Sequence, residues 1–195
     1  GQTPVHAGDT ATGGLSNQTF WLANNPAFAA ATLWYDGGTL NQFAIGAFFV
    51  ANGQLNFLGE MAVNAGQVLA NGQNGVPFVV NGQTIARVVI DASTTNDPRN
   101  GDGNVLFVLE GGNGIDLTQF VWSVASIGTQ TGRFDAWALG GSQFYEFALG
   151  FPNNEVPGDT QYTVGVPSTA LGLIGVAAHV TRNSWTDIDG QFHQS

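Results

Sequence analysis

Glycine or proline interrupts nearly every window of this chain long enough for three helical turns. Gly supplies 28 of the 195 residues and Pro seven. Inside a helix each Gly costs about 1 kcal/mol and each Pro about 3 kcal/mol relative to Ala. Helix signals are therefore poor. The Ala-rich run NNPAFAAATLW, residues 24–34, is the best exception, with Pro26 at a first helical position and Asn24 or Asn25 before it as a cap.

The remaining apolar residues fall in short runs separated by turn residues. The runs are QTFWLA, ATLWY, LNQFAIGAFFVA, QLNFLGEMAV, VPFVV, TIARVVI, VLFVLE, QFVWSVA, RFDAWAL, QFYEFALGF, QYTVGV and IGVAAHVT. Several alternate with period two, as Leu55 and Phe57 do against Gln54 and Asn56, and Tyr145 and Phe147 against Glu146. That is the pattern of a half-buried strand. Asn-Gly-Gln occurs at Asn52, Asn71 and Asn81, and further Asn-Gly pairs begin at Asn74, Asn100 and Asn113. Asn-Gly suits a type I′ turn, whose two central residues both need positive φ. Residues 40–91 are expected to form a meander of tight hairpins. The spacing of the copies is irregular, which excludes a solenoid.

So many strands and turns in one chain predict an all-β fold: an antiparallel two-sheet β-sandwich, jelly-roll-like. Residues 1–16 are small, polar and Gly-rich and read as an extended N-terminal arm; residues 17–195 read as a single sandwich domain. Charged residues that would guard sheet edges are scarce, so either the fold closes or edge pairing is its purpose.

Only 9% of residues are charged, against about 25% in ordinary soluble domains. Fourteen acids face four Arg and no Lys, for a net charge of −10. Arg87, Arg99, Arg133 and Arg182 are scattered, which excludes nucleic acid and anionic membrane surfaces as partners. Without Lys there is no Schiff-base amine or isopeptide crosslink; without Cys there is no thiol chemistry and no disulfide. The longest apolar tract, residues 164–180, is broken by Pro167, Ser168 and several Gly and falls short of the ~20 residues a spanning helix needs. A chain rich in Gly, Asn and Gln and poor in charge points to export, to an extracellular or cell-surface location.

The densest group of side-chain oxygens is the loop DPRNGDGN, where Asp97, Asn100, Asp102 and Asn104 lie between two apolar runs, with Asp91 at the entrance. Calcium takes six to eight hard oxygens from such loops, with Gly allowing the sharp turn. The NGDG core resembles the centre of a dockerin-type or EF-hand-type loop, although Pro98 stands where an acid is wanted and Glu110 is one position late for the closing acid. GGNGID, residues 111–116, resembles the start of an RTX-type calcium nonapeptide, with Thr118 where that family has a large apolar residue. These resemblances imply Ca²⁺ bound by Asp97, Asn100, Asp102 and Asn104; the alternative is a polar hairpin loop held by Asx turns. Residues VPSTALGLIGVAA resemble the sorting tails of some exported bacterial proteins, without their second Pro or closing basic cluster, and the likeness is read as chance.

Asp187 and Asp189 near the C-terminus read as an ordinary turn. His6, His179 and His193 show no paired metal spacing; a zinc site shared by His6 and His193 needs the two ends to meet. No nucleophile motif is present. Glu60, Glu110, Asp135 and Glu146 are the carboxylates on strands that a glycosidase pair would draw on, and Asp135 and Glu146 have aromatic neighbours. Trp21, Trp34, Trp122, Trp137 and Trp185 serve the core or stack on sugars. Asn17-Gln18-Thr19 matches the glycosylation sequon.

No catalytic motif emerges, and the expected role is that of a non-enzymatic exported structural protein. It would be a subunit of a filament, tube, surface layer or adhesin, assembling with copies of itself through strand edges or the N-terminal arm. The alternative is a secreted carbohydrate-binding module or lectin, and behind it a β-sandwich glycan hydrolase or lyase.

Overall fold

The computed structural model describes residues 5–11, 16–72, 74–98, 100–111, 114–128, 130–140, 142–145, 155–158, 184–186 and 192–194. The chain separates into two compact units, residues 1–161 and 162–195. In the second, β13 (Ser184–Thr186) and β14 (Phe192–Gln194) form an antiparallel ladder with Trp185 opposite His193.

The first unit is an antiparallel two-sheet sandwich. Its strands are β1 (His6–Ala11), β2 (Ser16–Ala23), β3 (Phe28–Asp36), β4 (Leu40–Ala51), β5 (Gln54–Asn64), β6 (Val68–Leu69), β7 (Val76–Val80), β8 (Gln83–Thr94), β9 (Asp102–Glu110), β10 (Val121–Gly128), β11 (Gly132–Leu139) and β12 (Ser142–Tyr145). One sheet has seven strands in the order β1-β11-β3-β9-β8-β6, with β7 also on β8; the other has five, in the order β12-β2-β10-β4-β5. The outgoing run β1 to β4 changes sheet at every connection, and the returning run β9 to β12 does the same between its strands. This interleaved winding is the jelly-roll character of the fold.

The Asn-Gly pairs act as turn chemistry requires. Asn52 and Gly53 have φ of 52° and 73° and close the β4–β5 hairpin; Asn81 and Gly82, at 49° and 81°, close β7–β8. At Asn71 the turn supports only an isolated bridge to Asn74. The expected meander is thus corrected to two hairpins in different sheets. The amide of Ala65 donates to Asn41 O in one sheet, and that of Gly66 donates to Ala92 O in the other. Gly66, at φ 85°, makes that step possible. The Ala-rich run is strand β3 rather than helix: its alternating burial places Ala29, Ala31, Leu33 and Tyr35 in the core. Asn25 ends the preceding loop as an Asx turn, its Oδ1 accepting from Ala27 N at 2.8 Å.

The two sheets contribute complementary sizes to the core. The five-stranded sheet sends in Trp21, Phe43, Ile45, Trp122 and Phe144, all fully buried. The seven-stranded sheet answers with small Ala7, Ala11, Ala29, Ala31 and Ala136 beside larger Phe107, Leu109 and Ile90. Fully burying each of the large side chains stabilises by roughly 1.5–3 kcal/mol. Trp122 Nε1 donates to Leu117 O at 3.0 Å, on the 3₁₀ turn Leu117–Gln119 that Asp116 caps.

Residues 6–11 of the expected arm are extended and belong to the sandwich. As β1 they pair in register with β11, from His6 opposite Trp137 to Ala11 opposite Gly132. The apolar run at 164–180 with His179, the Asp187–Asp189 pair, Glu146, and the expected strands QYTVGV and IGVAAHVT lie outside the described residues.

Candidate functional site

Three surfaces emerge from this frame: the loop before β9, the outer face of the seven-stranded sheet, and the β4–β5 hairpin.

In the loop, the backbone of Asp97 does most of the holding. Asp97 N donates to Asp102 O at 2.7 Å, while Asp97 O accepts from Asn100 N at 3.2 Å and Gly101 N at 2.7 Å. Asn100 and Asp102 bond reciprocally: Asn100 Nδ2 donates to Asp102 Oδ2 at 2.7 Å, and Asp102 N to Asn100 Oδ1 at 3.2 Å. Gly101 takes φ 83°, and its carbonyl accepts from Gly37 N, which docks the loop on the β3–β4 turn. Of the four proposed ligands, Asp97, Asn100 and Asp102 share this turn. Asn104 does not: its Nδ2 donates to Thr32 Oγ1 at 2.9 Å and Leu33 O at 3.2 Å, across the strand pair. Among the described residues no group of three or more His, Cys, Asp or Glu is close enough to share an ion.

The outer face of the seven-stranded sheet is built by alternation. On β9, Gly103, Val105, Phe107 and Leu109 are buried, so Asp102, Asn104 and Leu106 point outward. On β11, Phe134 and Ala136 are buried, so Arg133, Asp135 and Trp137 point outward. On β3 the outward set includes Thr32 and Trp34. Pairing aligns these sets: Trp34 lies between Asp135 on β11 and Asn104 on β9. Asp135 is gripped on both oxygens, by His6 Nε2 at 3.1 Å and Arg133 Nε at 2.8 Å. The His6 ring is 2% exposed and lies 5.2 Å from the Trp137 ring. Gly8 is required beside them, because a Cβ there would come within 2.7 Å of Asp135 Oδ1.

Among the described residues, the carboxylates Glu60, Glu110 and Asp135 are not brought together. Glu60 is exposed on the outer face of the five-stranded sheet, opposite Gly46. Glu110 accepts from Gly75 N at 3.3 Å, six residues along β9 from Asn104, about 20 Å at strand rise. Trp21 and Trp122 are core, whereas Trp34 and Trp137 are half-buried on the outer face. At the sequon, Asn17 Nδ2, the atom that would carry a glycan, is buried without a partner, and Thr19 is 4% exposed.

The hairpin carries apolar side chains that the core does not take up. Phe49, Val50 and Phe57 are 47%, 47% and 59% exposed. Phe57 leans on Phe48 at 5.3 Å between ring centroids, and Phe48 on Phe20 at 5.4 Å, so a small apolar cluster forms outside the main core. A bulge between Ala47 and Phe48 makes Leu58 the extra residue, next to Gly59 at φ 153°. Sequence alternation marks Leu55 and Phe57, but nothing local shows that the hairpin outruns the core.

No family model and no curated protein matches this chain. Among solved structures it is similar to the Clostridium perfringens CspB protease, with 12% identity, a TM-score of 0.55, and a match covering 88% of this chain and 31% of that one. At that identity the likeness is one of fold. This chain therefore spans about a third of the protein it resembles.

Proposed function

We propose that this chain is an extracellular structural module, of a filament, tube, surface layer or adhesin, that associates with copies of itself through the open edge of β5. The observation that carries the proposal is the contrast between the sheet edges. β6 has two residues, β7 contains Pro77, β12 has four residues, and β1 carries Gly8 and Asp9. Among the described strands β5 is terminal in its sheet; it runs for eleven residues, bulges once at Leu58 and carries a single charge, Glu60. Long apolar edges without Lys or Pro tend to pair with other chains, and among the described residues no strand pairs with the outer side of β5. Two β5 edges meeting antiparallel would join two five-stranded sheets and bring the Phe57 clusters together.

Among the described strands β1 is the terminal strand of the other sheet and pairs with β11 on one side, so the N-terminal segment is the second edge through which copies could associate. Calcium enters the proposal as a brace for the 97–102 loop, with Asp97, Asn100 and Asp102 as the ligands. Low charge and the absence of Cys and Lys support a location outside the cell, and a non-enzymatic role accords with Glu110 and Asp135 standing far apart on one sheet face and Glu60 lying on the other sheet.

Sedimentation velocity over a concentration series tests the proposal. Wild-type protein should associate reversibly, and Phe57→Lys should sediment as a monomer with an unchanged melting temperature. A wild type that stays monomeric at the highest concentration, or a variant that associates as well as the wild type, overturns it.

A further inference from the structure

The row Asp135–Trp34–Asn104 has a chemistry of its own, independent of the β5 edge. Its three side chains come from three adjacent strands of one sheet, β11, β3 and β9, in direct register. A rigid sheet therefore sets their spacing, and directly opposed side chains stand about 5 Å apart. The central member is a half-buried indole. Both flanking members are pinned by neighbours. His6 and Arg133 hold the Asp135 carboxylate. Thr32 Oγ1 and the Leu33 carbonyl take the two N–H groups of Asn104, which leaves its Oδ1 as an acceptor. A second half-buried indole, Trp137, occupies the diagonal position beside Trp34, since it pairs with Thr32.

We infer that this face is a binding site for neutral glycans. A sugar ring presents an apolar face of C–H groups and a rim of hydroxyls. The indole of Trp34 suits the first, and oriented acceptors on either side of it suit the second, because a carboxylate already holding two donors still has lone pairs to offer. Preorganisation matters here, since side chains already fixed by His6, Arg133 and Thr32 lose little entropy on binding. His6 is a positioning residue, buried beside Trp137 with its Nε2 on Asp135. The charge of the face selects against acidic sugars: Asp36, Asp91, Asp102 and Asp135 stand on the outward side of these strands against Arg133 and Arg87, within a chain of net charge −10.

The test is retention of the full chain on immobilised neutral polysaccharides (cellulose, xylan, mannan, starch) with heparin and hyaluronan as acidic controls, followed by calorimetric titration with oligosaccharides of the retained class. At least one neutral glycan should bind. Trp34→Ala should weaken binding at least tenfold, Asn104→Ala and Asp135→Ala several-fold, and Phe57→Lys not at all. Since truncation at position 34 can disturb the face, hydroxyl-radical oxidation of the wild type, mapped by mass spectrometry, provides a second readout in which bound saccharide protects Trp34. Retention by no neutral glycan, preference for the acidic controls, or binding that leaves Trp34 unprotected and survives its removal overturns the inference.

Discussion

The ring of Tyr35 on β3 lies across Gly103, its direct partner on β9: a Cβ at position 103 would overlap the ring. Tyr35 is 2% exposed and packs on Phe43 of the opposite sheet at 5.3 Å between ring centroids. An aromatic side chain laid over a cross-strand glycine restores the packing that the glycine lacks. This pair closes the core at the end of the sandwich where the Asp97–Asp102 loop docks.

Gly103→Ala is accordingly expected to destabilise by about 1–3 kcal/mol through overpacking. Tyr35→Ala alone opens a cavity, and the double variant should be less damaged than the two single effects summed, because the added methyl then has space. Chemical denaturation of the four proteins measures the coupling; simple additivity would show that the ring and the glycine do not act as a unit.

The Tyr35 hydroxyl is buried without a hydrogen-bond partner, and burial raises its pKa above the usual 10.0. An acid whose folded pKa is raised contributes stability that is fully present below the unfolded value, about 10, and lost as pH rises through the folded value. Tyr35→Phe should leave stability at neutral pH unchanged or raise it by about 1 kcal/mol, since an unsatisfied polar atom is removed, and should flatten the alkaline loss above pH ~10. Thermal melts from pH 8 to 11 check this; an equally steep alkaline loss in the variant contradicts it.

Asp116 shifts the other way. The hydroxyl and the backbone N–H of Thr118 donate to its Oδ1 at 2.6 and 2.9 Å and lower its pKa from 3.8. A lowered acid contributes stability above its unfolded pKa that is lost as pH falls through the folded one. Thr118→Val should therefore lower stability at pH 7, a deficit that fades as pH falls through the folded pKa of Asp116, and shift the acid unfolding midpoint upward. An unmoved midpoint in acid titration followed by circular dichroism would show that the cap is not used.

If the loop binds calcium, added Ca²⁺ should raise the melting temperature and chelator should reverse the rise, by about 2.7 kcal/mol when the ion is at a hundredfold its Kd. Asn100→Ala and Asp102→Ala should abolish the response, whereas Asn104→Ala should keep it, because Asn104 is held on the sheet face. Scanning calorimetry with and without Ca²⁺ decides, and an unchanged wild-type melt removes the ion from the account.

What was legible in the sequence follows from how local its cause is. The turns at Asn52 and Asn81 depend on two residues each, and both occur where Asn-Gly stands. The strands depend on short apolar runs and alternation within five to ten residues: Leu55 and Phe57 alternate with Gln54 and Asn56 on β5, whereas β9 carries the continuous apolar run VLFVL. The strand character of residues 28–36 was less clear, because Ala suits a helix as well, and only packing against Trp21 and Trp122 in the shared core settles the matter. Pairing was not legible at all. Nothing near Trp34 shows that it will stand between Asp135 and Asn104, respectively 101 and 70 positions away in the chain. Asn104 thus read as a loop ligand from its neighbours and turned out to belong to a sheet face. Likewise, that Phe49 stays exposed depends on where the opposite sheet ends, which no local pattern encodes.

Strand-resolved amide hydrogen exchange at low and high protein concentration tests the β5 edge most directly. Pairing between copies should protect amides within residues 54–64 as concentration rises, while those of β1 and β7 exchange at unchanged rates. Exchange in β5 that is independent of concentration, or protection that rises at β1 or β7 instead, would contradict assembly through this edge.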